Sequence, residues 1–270
     1  MAIVFPFKAL RPQPQFAPKV ASPPYDVLNS KEARIAARGN PETFLHITKS
    51  EIDLPENTDP HSQDVYDKAK QNLNAFIQRG LLFREEKPCF YIYQLTMKGR
   101  MQTGLVGVSS IDDYEKNIIK KHEFTRPEKE QDRINHIKTT KAQTGNVFLA
   151  YRNVEEIDTI INKWKSQHDP VYDFIADDGI SHAIWVINSD QVNSSISELF
   201  KQKVPATYLA DGHHRAASAA KVRMQVEEPN FLTTLFPANE LKILDYNRVI
   251  KDINGLGSHE FLQKIQENFE

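Results

Sequence analysis

The sequence predicts an α/β (α+β) protein, a mixed sheet with flanking helices, and three observations lead there. Short apolar segments rich in β-branched and aromatic residues recur along the chain. They are interleaved with longer segments whose apolar residues repeat at helical spacing. Hydrophobic residues make up 40% of the 270 positions, enough for a sizeable core and too many for a disordered chain.

The first thirty residues carry Pro6, Pro12, Pro14, Pro18, Pro23 and Pro24. Proline cannot donate to a sheet ladder, so this segment reads as mostly extended loop laid over a scaffold, on the surface or along a cleft. Lys31 to Arg38 reads as a helix stopped by Gly39. Ser62 to Arg79 reads as a second, with Val65, Ala69, Leu73, Phe76 and Ile77 on one face and Gly80 as its stop. Strands follow at Cys89 to Leu95 and Gln102 to Ser110, joined by a hairpin turn at Lys98-Gly99-Arg100. Cys89 is the one cysteine. It has no disulfide partner in the chain, and its apolar neighbours mark it as a packing residue.

Thr125-Arg126-Pro127-Glu128 has the pattern of a capping box, with proline suited to the first turn. The helix it opens is expected to run to about Gln143 and stop near Gly145. Its apolar stripe is thin (Ile134, Ile137 and Ala142), and Glu130, Asp132, Arg133, His136, Lys138 and Lys141 fill the rest. Such a helix faces solvent or lines a polar cleft. Beyond it the reading gives a strand at Val147 to Tyr151, a helix at Ile157 to Gln167 and a strand at His182 to Ile187. A helix at Ser194 to Lys201, a strand at Thr207 to Ala210, an alanine-rich helix at Ala216 to Met224 and a strand near Phe231 to Phe236 complete it. Phe261, Leu262, Ile265 and Phe269 repeat at helical spacing to the last residues. Residues 1–256 therefore read as one α/β unit, and 257–270 as the start of a C-terminal region cut short.

Charge narrows the function classes. Lys and Arg number 34 against 36 Asp and Glu, a net −2, which speaks against a domain that coats nucleic acid. The N-terminus has no charged leader and is broken by prolines, so no signal peptide is expected. No apolar run approaches the roughly 20 residues that span a bilayer. No membrane partner is expected, and a cytoplasmic location is.

Tyr208-Leu209-Ala210-Asp211-Gly212-His213-His214-Arg215-Ala216-Ala217 carries the clearest chemistry. An apolar strand enters a turn at Gly212 and leaves as an alanine-rich helix. Free amides and the positive end of the dipole make that junction a seat for phosphate or sulfate. Gly212 permits close approach, His213 and His214 add donors, and Arg215 can grip phosphate oxygens in a fork. Beside an anion, Asp211 makes sense if it holds Mg²⁺, orients a histidine or binds a substrate amine. A plain cap flanked by surface histidines is the alternative.

The pentad resembles the signature of the ParB/sulfiredoxin superfamily, whose glycine-containing, His/Arg-rich strand-to-helix turn binds nucleotide phosphates. Over nearly the whole chain the sequence is similar to the bacterial and archaeal family called domain of unknown function 1015. The matching segments are Phe7-Lys8-Ala9-Leu10-Arg11-Pro12, Pro23-Pro24-Tyr25-Asp26-Val27 and His122-Glu123-Phe124-Thr125. Asp132-Arg133, Asp211 to Arg215 and Tyr246-Asn247-Arg248-Val249 complete the set. Members of that family continue beyond the last residue of this chain.

The resemblance implies a ParB/sulfiredoxin-like nucleotide-binding core with its motif at 204–224. Some ParB-like enzymes are free-serine kinases that make O-phosphoserine, which points to serine metabolism. Carried over, Asp211, Gly212, His213, His214 and Arg215 become the nucleotide-phosphate site, taking ATP or ADP with Mg²⁺. Those kinases use a carboxylate base, for which His122-Glu123 is the candidate, since Glu123 precedes a capped helix. A solvated charge run explains the pair as well. Phosphoryl transfer needs positioning and charge neutralisation, to which Arg126, Arg133 and Lys141 could contribute. Two prolines would fix the aim of Tyr25 and Asp26 toward substrate, or simply shape a turn.

Other signatures are absent. No Gly-x-x-x-x-Gly-Lys-Ser/Thr loop occurs, Gly255-Leu256-Gly257 meets Glu260 where a dinucleotide fingerprint needs glycine, and no Gly-x-Ser-x-Gly elbow is present. Adjacent His213 and His214 would point apart, against a zinc site built on both. Sulfiredoxin chemistry needs a cysteine that this turn lacks. The expected activity is a nucleotide-dependent phosphotransferase on a small hydroxyl substrate. A ParB-like nucleotide switch or hydrolase and a non-catalytic sensor of a phosphorylated metabolite are the alternatives.

Overall fold

The computed structural model describes residues 1–226, 229–245, 247 and 249–269; Tyr246 and Arg248, two positions of the family resemblance, lie outside the described residues. The chain opens with β1 (Val4–Phe5), β2 (Leu10–Pro12), α1 (Ala17–Val20), α2 (Ser30–Ala36), α3 (Leu45–Thr48), α4 (Gln63–Gln78) and β3 (Leu82–Arg84). It continues through β4 (Phe90–Met97), β5 (Arg100–Ser110), α5 (Ile111–Glu115), β6 (Ile119–Lys120), α6 (Pro127–Thr140), β7 (Val147–Tyr151) and α7 (Glu155–Gln167). The last elements are β8 (Tyr172–Ile175), β9 (Ser181–Ile187), α8 (Asp190–Lys203), β10 (Thr207–Asp211), α9 (His213–Val226), β11 (Asn230–Pro237) and α10 (Ser258–Asn268).

Nine strands form one mixed sheet in the order β6-β10-β7-β11-β5-β4-β9-β8, with β1 added beside β5. The β6–β10 and β7–β11 pairs are parallel and the others antiparallel. The hairpin between β4 and β5 closes through Lys98 and Gly99, both at positive φ, the geometry a two-residue turn requires. Along β7 the pleat buries Val147, Leu149 and Tyr151 and leaves Phe148 and Ala150 half-buried. Tyr151 packs against Phe200 of α8. Ala216 and Ala219 of α9, Ile157 and Ile161 of α7, and Ile196 of α8 close the same core over the sheet. Smaller clusters around Ile47, Leu73 and Phe76, and around Ala33 and Leu45, hold the N-terminal helices. No helix among the described residues is long and apolar enough to cross a membrane.

Two local expectations are corrected. Within the mostly extended, proline-rich start, Val4 pairs with Ser109 and is buried. The same segment's β2 forms a small ladder with β3, and here long-range pairing outweighs proline's local preference. The capping box does not form: Arg126 is the N-cap of α6, no side chain caps it, and Glu128 is exposed. Thr125 instead donates to Glu130, a buried carboxylate that also takes Lys221 of α9. A burial demand from a neighbouring helix has claimed the capping hydroxyl. Finally, α6 ends at Lys141, which is left-handed at φ 54°, and not at Gly145.

Candidate functional site

The parallel pairing of β6 and β10 places the site. Ile119 lies opposite Thr207 and Lys120 opposite Tyr208, so both strands run the same way and end side by side. One chain leaves β6 through residues 121–126 into α6; the other leaves β10 through Gly212 into α9. Two helix N-termini beside the carboxyl ends of neighbouring strands are where α/β sheets collect ligands. The register of β10 against β7 slips between Leu209 and Asp211, and such a bulge re-aims the residues beyond it. Gly212 follows at φ +92°, a conformation that favours glycine.

The first turn of α9 begins at His213, earlier than alanine content alone suggests. Ala216 donates the first helical bond, to the Gly212 carbonyl at 3.0 Å. The amides of His213, His214 and Arg215 therefore have no partner within the helix, at its positive end. Arg215 is held in place, its side chain 11% exposed. Its Nη2 donates to Asp211 Oδ2 at 2.6 Å and lies 4.0 Å from Asp26 Oδ2. Its Nε is buried with no hydrogen-bond partner. The side chain crosses Gly145 so closely that a Cβ there would meet its Cδ at 2.8 Å. That crowding is a physical reason for glycine at 145, beyond the helix stop read from the sequence.

The two histidines point to different places. Nε2 of His214 accepts from the Arg126 amide at 3.1 Å, so its proton sits on Nδ1. His213 is 6% exposed and meets His122 edge to face, ring centroids 4.5 Å apart. Its Nδ1 lies 3.6 Å from Glu123 Oε2, and His122 Nε2 lies 3.9 Å from Glu123 Oε1. Burial pushes the His213 imidazole below its usual pKa against the pull of Glu123, which favours the neutral ring. Among the described residues, ligand atoms of His122, Glu123 and His213 all fall within 4.8 Å of one another.

Across the cleft, the Arg133 guanidinium sits 3.9 Å over the Tyr25 ring. It also donates to Asp132 Oδ2 at 2.9 and 2.7 Å. Asp132 takes Tyr66 at 2.9 Å and His61 at 3.1 Å through its other oxygen. Burial alone would raise the Asp132 carboxyl, but Arg133 and the hydrogen bonds outweigh it and hold it below the usual range. Tyr25, Arg133, His136, Gly145, Val147 and Arg215 line one small cleft.

Tyr25, Asp26, Arg133, His122, Glu123 and Asp211 to Arg215, separated in sequence, thus meet around the start of α9. Arg126 arrives by its backbone only; its side chain is exposed. Asp211 faces Arg215 and stands outside the His122–Glu123–His213 group. Sequence reasoning missed the segment from Gln143 to Gly145, which lines the cleft. Its only local signal, a glycine after a helix, pointed to a stop.

The protein-family model described as Protein of unknown function (DUF1015) matches residues 4–270. No curated protein and no solved structure matches the chain. The family match covers every residue that builds this site, and the chain belongs to the DUF1015 family.

Proposed function

We propose that this protein is a nucleotide-dependent phosphotransferase acting on a small hydroxyl substrate, with free serine the favoured acceptor and ATP or ADP with Mg²⁺ the donor. One observation carries the reading. The first turn of α9 has three amides without helical partners, and Arg215 on that turn shares a cleft with Arg133. That combination suits a polyphosphate, since helix amides and guanidiniums recognise the same anionic oxygens. The likeness of the Asp211–Arg215 turn to ParB/sulfiredoxin-like nucleotide sites supports it.

In this reading the amides and Arg215 hold the transferring phosphate, and Arg133 offsets charge. Glu123, with His122 and His213 beside it, activates the acceptor hydroxyl. Tyr25 and Asp26 shape the acceptor side. Asp211 is largely exposed and offers carboxylate oxygen, the donor type Mg²⁺ prefers; the ion would neutralise phosphate charge. ³¹P NMR of the protein with serine, Mg²⁺ and ATP or ADP should show phosphoserine appearing. No acceptor-dependent turnover with either nucleotide sinks the kinase reading.

A second reading rests on the 4.0 Å approach of Asp26 to Arg215. An anion drawing Arg215 away would release the N-terminal loop, as in a nucleotide-driven switch or hydrolase or a phosphometabolite sensor. Calorimetry against the four nucleotides without acceptor separates the two. The kinase should prefer adenine, and a CTP preference without an acceptor requirement favours the switch.

A further inference from the structure

His122, Glu123 and His213 form a second polar group at the start of α9, chemically unlike the guanidinium cleft. Both imidazoles and the carboxylate turn toward one another with no hydrogen bond between them. The 3.6 and 3.9 Å separations exceed hydrogen-bonding distance. They run to the two different carboxylate oxygens; with one ligand atom taken from each residue, all three lie within 4.8 Å of one another, and exposed His122 and Glu123 need only draw in to reach the ~3.3 Å between ligand atoms of a tetrahedral ion with bonds of about 2.0–2.1 Å. His213 Nε2 is buried with no hydrogen-bond partner, and Nδ1 reaches only the Glu123 carboxylate among the described residues. The nitrogen that faces Glu123 is thus the one free to take an ion, with the ring proton left on Nε2.

We infer that His122, Glu123 and His213 bind a divalent first-row transition-metal ion, through two imidazole nitrogens and one carboxylate, leaving at least one coordination position open. Two imidazoles with one carboxylate suit zinc, manganese, iron, cobalt or nickel better than Mg²⁺ or Ca²⁺, which prefer oxygen ligands. Three protein ligands with an open position is the arrangement of a reactive site, not of a closed structural one. The helix dipole at the start of α9 opposes a cation. An anionic fourth ligand removes that opposition, so a phosphate oxygen and the ion should bind together. That cooperation rests on the phosphotransferase reading; binding of the ion alone does not. With the ion present, Glu123 is a ligand and not a free base, and the proton of an acceptor hydroxyl bound to the ion would pass to solvent water.

The test uses tag-free protein and Co²⁺, whose visible absorption reports coordination, with Zn²⁺ calorimetry alongside. One equivalent should bind, and inorganic phosphate should tighten binding and shift the cobalt spectrum. His122→Ala and Glu123→Gln should each weaken binding by at least ~100-fold, beyond the ~10–100-fold that loss of an outer partner costs. His122 is 60% exposed, so its removal leaves the fold intact even if His213→Ala does not. Absence of one-to-one binding, or unchanged affinity in both variants, overturns the site. A cobalt spectrum indifferent to phosphate overturns the shared ligand. Ion binding without nucleotide binding keeps this inference and removes the proposed function; nucleotide binding without ion binding does the reverse.

Discussion

The Arg126 amide donates to Nε2 of His214 at 3.1 Å, across 88 positions of sequence. It ties the N-cap of α6 to the first turn of α9 and leaves Nδ1–H of His214 as a donor. Two helix starts that could drift apart are thereby clamped.

Replacing His214 tests the clamp. His214→Ala should lower stability by about 1 kcal/mol, the scale of one net hydrogen bond. His214→Gln, whose amide oxygen can replace Nε2 as acceptor, should recover most of it. Urea unfolding decides, and equal midpoints in all three proteins would remove the clamp.

Gly145 tests the placement of Arg215 without touching an anion-binding atom. An alanine methyl would meet Arg215 Cδ at 2.8 Å, the middle of a side chain held by Asp211, so the guanidinium must be displaced. Gly145→Ala should therefore melt somewhat below the parent and its phosphate or nucleotide affinity fall about tenfold, ~1.4 kcal/mol. Arg215→Ala should abolish that binding. If calorimetry finds Gly145→Ala binding as the parent does, the fixed position of Arg215 is not what matters.

His136 sets an acid limit on stability. It is buried at the back of the cleft with Nε2 on the Ile47 carbonyl at 3.0 Å. Burial, then Arg133, push its pKa down to about 4 from 6.5. Between those values the unfolded chain binds the proton and the folded one refuses it, so stability rises with pH. The contribution is full above about pH 6.5 and lost as pH falls toward 4, amounting to about 3 kcal/mol. In His136→Gln, which keeps a donor for Ile47, the loss between these pH values should shrink. An unchanged pH profile of the melting temperature would assign it to other groups.

Cys89 should behave as a packing residue. It is 2% exposed and burial pushes its thiol up, so little thiolate is available. A disulfide reagent such as DTNB should label the native protein far more slowly than the urea-unfolded chain. Fast stoichiometric labelling of native protein would contradict this.

Much of the architecture was written locally. The Lys98-Gly99 hairpin, the alternating burial of β7 and the apolar stripe of α4 from Val65 to Phe76 follow from turn chemistry and periodicity, which neighbours reinforce, although Ile77, read on the same stripe, is exposed. The strand–glycine–helix junction at 207–213 was readable for the same reason. Where a local signal met a tertiary demand, the latter won: Thr125 left its cap for buried Glu130, and Val4 joined β5 despite the prolines around it.

By itself the sequence determined the class of fold and the residue types around Gly212, because backbone preferences and side-chain periodicity act over a few residues. Only the tertiary structure decided that two-residue β6 pairs with β10, which brings His122 and Glu123 to His213. It likewise brought Asp26 to Arg215 and set Arg133 over Tyr25. Those meetings depend on strand order and on burial satisfied between distant segments, and no window of sequence contains both partners.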